Sequence, residues 1–225
     1  MNIVHGLYAI IDTTFSPQYS HSELAQLVLL GGCRLLQLRM KEPNTGDRHA
    51  PLCGARDDKL KWNQRVFDEG RKIMELKKKF DFTFIINDYM DVAAELGADG
   101  IHVGANDAPV EEIRKRLGSK YIIGYSSHSI EAALEAERRG ADYIAFGAIF
   151  PTKTKGPGHP VQGLEKLKKL CTQVARPVVA IGGINCGNID GVISAGASAV
   201  AMITGITQAK DVVAETRFFT EKFKI

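Results

Sequence analysis

Eight short apolar runs, rich in branched side chains and separated by longer amphipathic stretches, constrain this chain more than anything else in its sequence. They are Leu7 to Ile11, Leu35 to Leu38, Phe84 to Ile86, Ile101 to Val103, Ile122 to Tyr125, Tyr143 to Phe146, Pro177 to Ile181 and Ala199 to Ile203. They lack strict alternation between apolar and polar, the pattern of strands covered on both faces. Between them, Val110, Ile113 and Leu117 fall on one helical face, with Glu111, Glu112, Arg114 and Lys115 on the rest. Leu164, Leu167 and Cys171 repeat that spacing among Lys166, Lys168 and Lys169. Strand then helix, repeated, predicts parallel pairing with crossover helices, and eight such units fit a closed barrel better than an open sheet. The expectation is an α/β protein, a single (β/α)8 TIM barrel over residues 1–225.

Smaller signals agree. Gly97-Ala98-Asp99 and Gly140-Ala141-Asp142 precede strands, with Gly196-Ala197-Ser198 a relaxed version before the last one, which predicts glycine-ended helices and short hops into the sheet. The segment from Pro43 to Asp58 breaks the rhythm: it is mostly polar and carries Gly46, Pro51 and Gly54, so it reads as a loop of about 43–58 followed by a helix from about Lys59 to Lys79. A lid or substrate loop and a plain surface insertion are both compatible with such a segment.

Composition excludes more than it identifies. Net charge is +3, and the cations are scattered rather than gathered into an arm, so nucleic acid is not an expected partner. Cys33, Cys53, Cys171 and Cys186 lie far apart without a paired motif, which suits a reducing cytoplasm. The start, Met1 to Gly6, has no basic region followed by an apolar block, and nothing approaches the roughly 18 apolar residues of a span. No membrane partner is expected, and homo-oligomerisation is left open.

In a parallel barrel the chemistry sits where strands end at their carboxyl edge, so the polar residues after each run matter most. Gln37, Arg39 and Lys41 alternate onto one side of the second strand, concentrating an amide and two cations at the mouth, unless this is only a solvated strand end. Asn87 and Asp88 close the third run, and Asp107 follows the fourth. Two carboxylates after adjacent strands suit a magnesium ion, Mg2+, which takes one or two carboxylates and completes its shell with water and phosphate oxygens. Either aspartate is also a candidate turn or cap residue, Asp107 for the helix after Pro109.

The fifth run leads to Ser126 at the mouth and to His128, which reads as a supporting or capping side chain. After the sixth, Thr152, Lys153, Thr154 and Lys155 offer hydroxyls and ammonium groups to phosphate oxygens, or else form a solvated loop. Gly182 and Gly183 after the seventh let a ligand approach the backbone, and Ile203 and Thr204 follow where parallel barrels frequently hold a phosphate. Two anion sites emerge. One is metal-assisted, with Lys41, Asp88, Asp107 and Lys155; the other is rich in backbone, with Thr152, Thr154, Gly183, Ile203 and Thr204.

Taken in order, Gln37-Leu38-Arg39-Met40-Lys41, Ile86 to Asp88, Gly100 to Asp107, Gly124 to His128, Phe150 to Lys155, Val161 to Gly163, Ile181 to Ile184 and Met202 to Thr204 resemble the thiamine-phosphate synthase (thiamine-phosphate pyrophosphorylase) family over essentially the whole chain. That resemblance implies a transferase that joins a hydroxymethylpyrimidine diphosphate to a hydroxyethylthiazole phosphate and releases pyrophosphate. It implies two small phosphorylated substrates as partners and Mg2+ as cofactor. By the same resemblance, Gln37, Leu38, Arg39, Met40, Lys41, Asn87, Ser126 and Lys155 form the pyrimidine diphosphate site, with Lys41, Ser126 and Lys155 the catalytic candidates. Asp88 and Asp107 are the implied metal ligands, and Thr152, Lys153, Thr154, Gly183, Ile203 and Thr204 the thiazole phosphate site. Met40 stands where the family often has an acid, Thr204 where serine is common, and the 43–58 segment is longer than usual. Three rival readings remain: a thiazole tautomerase using His128, a regulatory protein that only binds the thiazole phosphate, and a general phosphosugar isomerase, which no strand end supports with a catalytic carboxylate in a matching motif.

Overall fold

Strict side-chain alternation along each run decides what faces where. The computed structural model describes residues 4–42, 52–152 and 160–223, with the backbone alone for 52–59. Its strands are β1 (Gly6–Ile11), β2 (Leu35–Leu38), β3 (Thr83–Asn87), β4 (Gly100–Val103), β5 (Ile122–Ser127), β6 (Tyr143–Gly147), β7 (Val178–Ile181) and β8 (Ala199–Met202). They close in sequence order, every pair parallel, with β8 returning to β1 through Tyr8 opposite Ala201. The expected eightfold barrel is the fold.

The helices are α1 (His21–Leu30), α2 (Leu52–Met74), α3 (Met90–Leu96), α4 (Val110–Leu117), α5 (Ile130–Arg138), α6 (Gly163–Gln173), α7 (Ile189–Ser194), α8 (Thr204–Thr207) and α9 (Val212–Glu221). Among the described residues, no helix is long and apolar enough to cross a membrane. Outward positions such as Leu7, Leu36, Phe84, Ile101, Ile123, Phe146, Ala180 and Val200 join helix residues such as Leu24, Ile113, Leu167 and Phe219 in one continuous core. Inward positions form a second, smaller core of Val4, Tyr8, Ile10, Leu35, Ile85, Tyr143, Ala145, Val179, Ala199 and Ala201. The apolar runs look unbroken because both parities are buried, one against helices and one inside the barrel.

The repeated Gly-Ala-Asp turns have a stitching role. Gly97 ends α3 in the left-handed region at φ 64°, where a side chain would be strained. Two residues on, the Asp99 carboxylate accepts from the Phe84 N–H at 2.6 Å, and in the second copy Asp142 accepts from the Ile123 N–H at 2.8 Å. Each carboxylate also meets a cation, Lys77 or Arg114, both at 2.5 Å. The motif therefore ties each helix exit to the preceding strand at the end of the barrel opposite the mouth.

One sequence expectation needs correction. The segment expected as a loop to Asp58 is helical from Leu52, so α2 begins seven residues before Lys59 and ends in a 3-10 turn at Glu75–Lys78. Hydrophobic period was the signal used, and the first turns of α2 lack an apolar stripe. Intrinsic propensity still favours a helix there, since Ala55, Arg56, Lys59 and Leu60 are good formers that outweigh Gly54. Residues 43–51 of that segment lie outside the described residues.

Candidate active site

Because inward positions near the carboxyl ends of the strands carry polar rather than apolar side chains, the barrel core stops short and leaves a cavity of about 360 Å³. That is within the usual range for small-molecule sites, about 300–1,000 Å³. Its walls include Gln37 and Arg39 from the β2 end, Asn87 from β3, His102 from β4, Ser126 from β5, Thr152 beyond β6, Gly182 and Gly183 beyond β7, and Ile203 and Thr204 beyond β8. Seven strands, β2 to β8, thus bring one or two residues each to a single volume from their carboxyl ends, and β1 contributes Tyr8 and Ile10 from lower down.

The floor is a chain of hydrogen bonds across five strands. Gln37 Nε2 donates to Tyr8 Oη at 2.8 Å, Tyr8 Oη lies 2.8 Å from Tyr143 Oη, and Tyr143 Oη lies 2.9 Å from His102 Nδ1. His102 Nε2 then meets Ser126 Oγ at 2.8 Å. Tyr143 also stacks on the His102 ring and meets Tyr8 edge to face. Burial pushes both phenols well above their ordinary pKa, so each keeps its proton. One polar atom here stays unsatisfied among the described residues: Asn87 Nδ2, buried and without a partner there, on a residue that lines the cavity. An orphaned buried donor is costly, which makes it a place for a ligand acceptor.

At the rim above β3 and β4 the carboxylates meet. Asp88 follows β3 in the left-handed region at φ 65°, uncommon for a residue other than glycine and tolerated by aspartate. Its amide donates to the His102 carbonyl at 2.9 Å, which holds the residue to β4. Lys41 donates to the Asp88 carboxylate. Burial raises the Asp88 carboxyl above its ordinary 3.8, Lys41 opposes the rise, and the neighbouring Asp107 carboxylate adds to it. Asp107 is fixed within its own turn, accepting from the Gly104 N–H at 2.8 Å, so it does not cap α4, whose N-cap is Pro109. Two hard oxygen groups crowded together, one of them kept from ionising chiefly by burial and further by its neighbour, match what a divalent cation takes from a protein. No group of three or more His, Cys, Asp or Glu suited to a metal occurs among the described residues.

The opposite rim is made of backbone. Gly182 and Gly183 both have positive φ, 99° and 68°. A Cβ on Gly182 would lie 2.6 Å from the Ala148 Cβ, and one on Gly183 would lie 2.6 Å from the Pro151 carbonyl oxygen, so neither position admits a side chain. Asn188 Nδ2 donates to the Gly183 carbonyl at 3.0 Å and turns that peptide toward α7. Phe150 N donates to Gly182 O at 3.0 Å, which brings the segment ending at Thr152 against this turn.

Of the residues picked from sequence, Gln37, Arg39, Asn87, Ser126, Thr152, Gly183, Ile203 and Thr204 border the one cavity. Lys41, Asp88 and Asp107 form the corner beside it, with the Lys41 side chain 48% exposed. Leu38 and Met40 pack in the layer between strands and helices. Lys153, Thr154 and Lys155 lie outside the described residues. His128 is exposed, is not part of the cavity wall, and donates from Nδ1 to the Gly147 carbonyl at 2.6 Å. The sequence reading overlooked Tyr8, Asp12, His102 and Tyr143. Asp12, 1% exposed, follows β1, pairs with Arg39 and accepts from Thr14 N at 3.0 Å. The available signal was parity: Tyr8, His102 and Tyr143 are polar groups at inward positions of otherwise apolar runs.

Residues 7–206 match the family described as thiamine monophosphate synthase. Curated relatives named thiamine-phosphate synthase include one from Halalkalibacterium halodurans, 38% identical over 214 residues, covering 95% of this chain and 93% of the relative. Another, from Methanocella arvoryzae, is 38% identical over 216 residues, covering 95% and 92%. Among solved structures, thiamine phosphate pyrophosphorylase from Pyrococcus furiosus superimposes with a TM-score of 0.80 at 34% identity, over 99% of this chain and 98% of that one. A 3-hexulose-6-phosphate synthase at 18% identity and a TM-score of 0.64 shares the fold alone. With a closed barrel, a cavity at its carboxyl end and these full-length matches, the chain belongs to the thiamine monophosphate synthase family of transferases.

Proposed function

We propose that the enzyme couples 4-amino-2-methyl-5-hydroxymethylpyrimidine diphosphate to hydroxyethylthiazole phosphate, giving thiamine phosphate and pyrophosphate, with Mg2+ held by Asp88 and Asp107. The observation that carries this reading is the pairing of the carboxylate corner with a glycine-lined rim across a single cavity, one suited to a metal diphosphate and the other to a second phosphate.

The aminopyrimidine lies over the floor, where Asn87 Nδ2 finds the acceptor it lacks and Gln37 and Ser126 fix the ring. Its diphosphate points to Arg39, Lys41 and the two aspartates. Cations placed where charge builds on the departing diphosphate stabilise the transition state more than the ground state. Asp88 and Asp107 would hold a divalent cation, which would supply further neutralisation of that charge. No side chain attacks carbon. The thiazole nitrogen is the nucleophile: its lone pair captures the pyrimidine methyl cation left when the C–O bond to the departing diphosphate breaks, and Gly183, Ile203 and Thr204 hold its phosphate so that the two rings face each other. Excluding water from the apolar side of the cavity, formed by Ala145, Ile181 and Ala201, protects that cation from hydrolysis.

The test is incubation of purified protein with both substrates and magnesium. Release of pyrophosphate with formation of thiamine phosphate is expected. Proton exchange on the thiazole phosphate with no coupling would make the tautomerase reading the correct one, and binding without turnover the regulatory one.

A further inference from the structure

A hydrogen-bond chain has a direction, and five side chains on this barrel floor set it. Gln37 presents Nε2, a donor only, to Tyr8 Oη at 2.8 Å. Tyr8 is 1% exposed and has one hydrogen, and among the described residues its hydroxyl meets only Gln37 and Tyr143. If Tyr8 donates to Tyr143, every hydrogen along the chain finds an acceptor. If Tyr143 donates to Tyr8 instead, the Tyr8 hydrogen is stranded in a buried site, at the cost of an unmade hydrogen bond. The favoured direction is therefore Gln37 to Tyr8 to Tyr143. Since Tyr8 already supplies Tyr143 with a hydrogen, Tyr143 must spend its own on His102 Nδ1, 2.9 Å away.

We propose that Tyr143 is a positioning residue: its hydroxyl, directed by Tyr8, holds His102 in the Nε2–H tautomer. His102 Nε2 then donates to Ser126 Oγ at 2.8 Å, and Ser126 turns its own hydrogen into the cavity. Ser126 is thereby a donor and selects a ligand atom with a free lone pair, such as an unprotonated ring nitrogen. Running the other way, the chain would have His102 accept from Ser126, which would face the ligand with lone pairs alone and select an N–H. The identity of the ligand atom rests on the functional reading given above; the tautomer does not.

Burial supports this direction, because both phenols stay protonated and each supplies one hydrogen. The fold commits space to it as well: Gly124, opposite Tyr143 in the strand register, leaves room for the ring to cross toward His102. A Tyr at that place used only to fill volume would not need its hydroxyl in line with Tyr8 and His102.

Ring-nitrogen NMR on the full 15N-labelled chain without ligands reads the tautomer, with His102→Gln identifying the His102 signals. A protonated Nε2 and bare Nδ1 at pH 7 is the expected result; an Nδ1–H tautomer overturns the proposal. Tyr143→Phe is expected to give a mixture of tautomers and to lower kcat/KM about tenfold, mostly through KM for the pyrimidine substrate, about 1.4 kcal/mol. Tyr8→Phe leaves the Tyr143 hydrogen on Nδ1 and should keep the wild-type tautomer with a smaller loss. Equal tautomer behaviour in the two variants overturns the positioning role. Should Tyr143→Phe fail to fold, the wild-type spectrum and Tyr8→Phe still decide. An inactive wild-type protein with His102 in the Nε2–H form would sink the functional reading and support the relay.

Discussion

The ring of Tyr143 on β6 fills the space that a methyl group on Gly124 of β5 would need: a Cβ on Gly124 would lie 2.0 Å from the ring Cζ and 2.3 Å from Oη. The two residues are paired in register, so neither backbone can move away without opening the barrel. Gly124→Ala is expected to lower stability by about 1–3 kcal/mol by overpacking. Thermal or urea unfolding measures it. Tyr143→Phe will not rescue the variant, because the ring carbon rather than the hydroxyl is the nearest obstacle; rescue by Phe would show that the clash is not with the ring.

Asp88 trades stability for position. Its left-handed backbone and its carboxylate neighbour Asp107 both disfavour the folded chain, while Lys41 offsets part of the repulsion. Asp88→Asn keeps a residue type that tolerates this backbone and removes the like charge. Without divalent cation it should be at least as stable as the wild type, and its coupling rate should fall by about a hundredfold or more. A destabilised but fully active Asp88→Asn protein would contradict the assignment.

A pH dependence follows from the same pair. The folded Asp88 carboxyl binds its proton more tightly than the unfolded one, so it favours the fold at low pH. That contribution is lost as pH rises from its ordinary value of 3.8 through the raised folded value. Magnesium competes with that proton. Thermal stabilisation by magnesium should therefore be largest at neutral pH and fade as pH drops into that window, and Asp88→Asn should flatten the profile.

Asp12 positions Arg39 from beneath. It is buried, pairs with the guanidinium and holds the turn after β1 through Thr14 N at 3.0 Å. Asp12→Asn retains the turn contact but removes the charge, so Arg39 loses its fixed direction toward the cavity. The expected outcome is a rise in KM for the diphosphate substrate of about tenfold and a stability loss of about 1–3 kcal/mol. Steady-state kinetics with each substrate varied in turn separates this from a change at the thiazole end, where KM should hold.

The barrel was legible because both faces of its strands are apolar, and its repeated glycine turns fall where the helices end. The start of α2 was not legible, since its mostly polar sequence carries no apolar period to read. Strand-end residues such as Arg39, Asp88, Asp107 and Thr204 stood out as polar groups just past apolar runs. Tyr8, His102 and Tyr143 did not, because they lie inside those runs, where only parity along the strand sets an inward tyrosine apart from an outward one. Asp12 was passed over because a lone acid after a strand looks like a turn residue until Arg39 is seen beside it.

Pyrophosphate release, measured with both substrates and titrated with magnesium, bears most directly on the reading of Asp88 and Asp107 as one metal-holding corner. Turnover should rise from near zero with added magnesium, and Asp88→Asn and Asp107→Asn should each abolish most of it. Undiminished turnover in the presence of a chelator, or wild-type turnover in either variant, would contradict that reading.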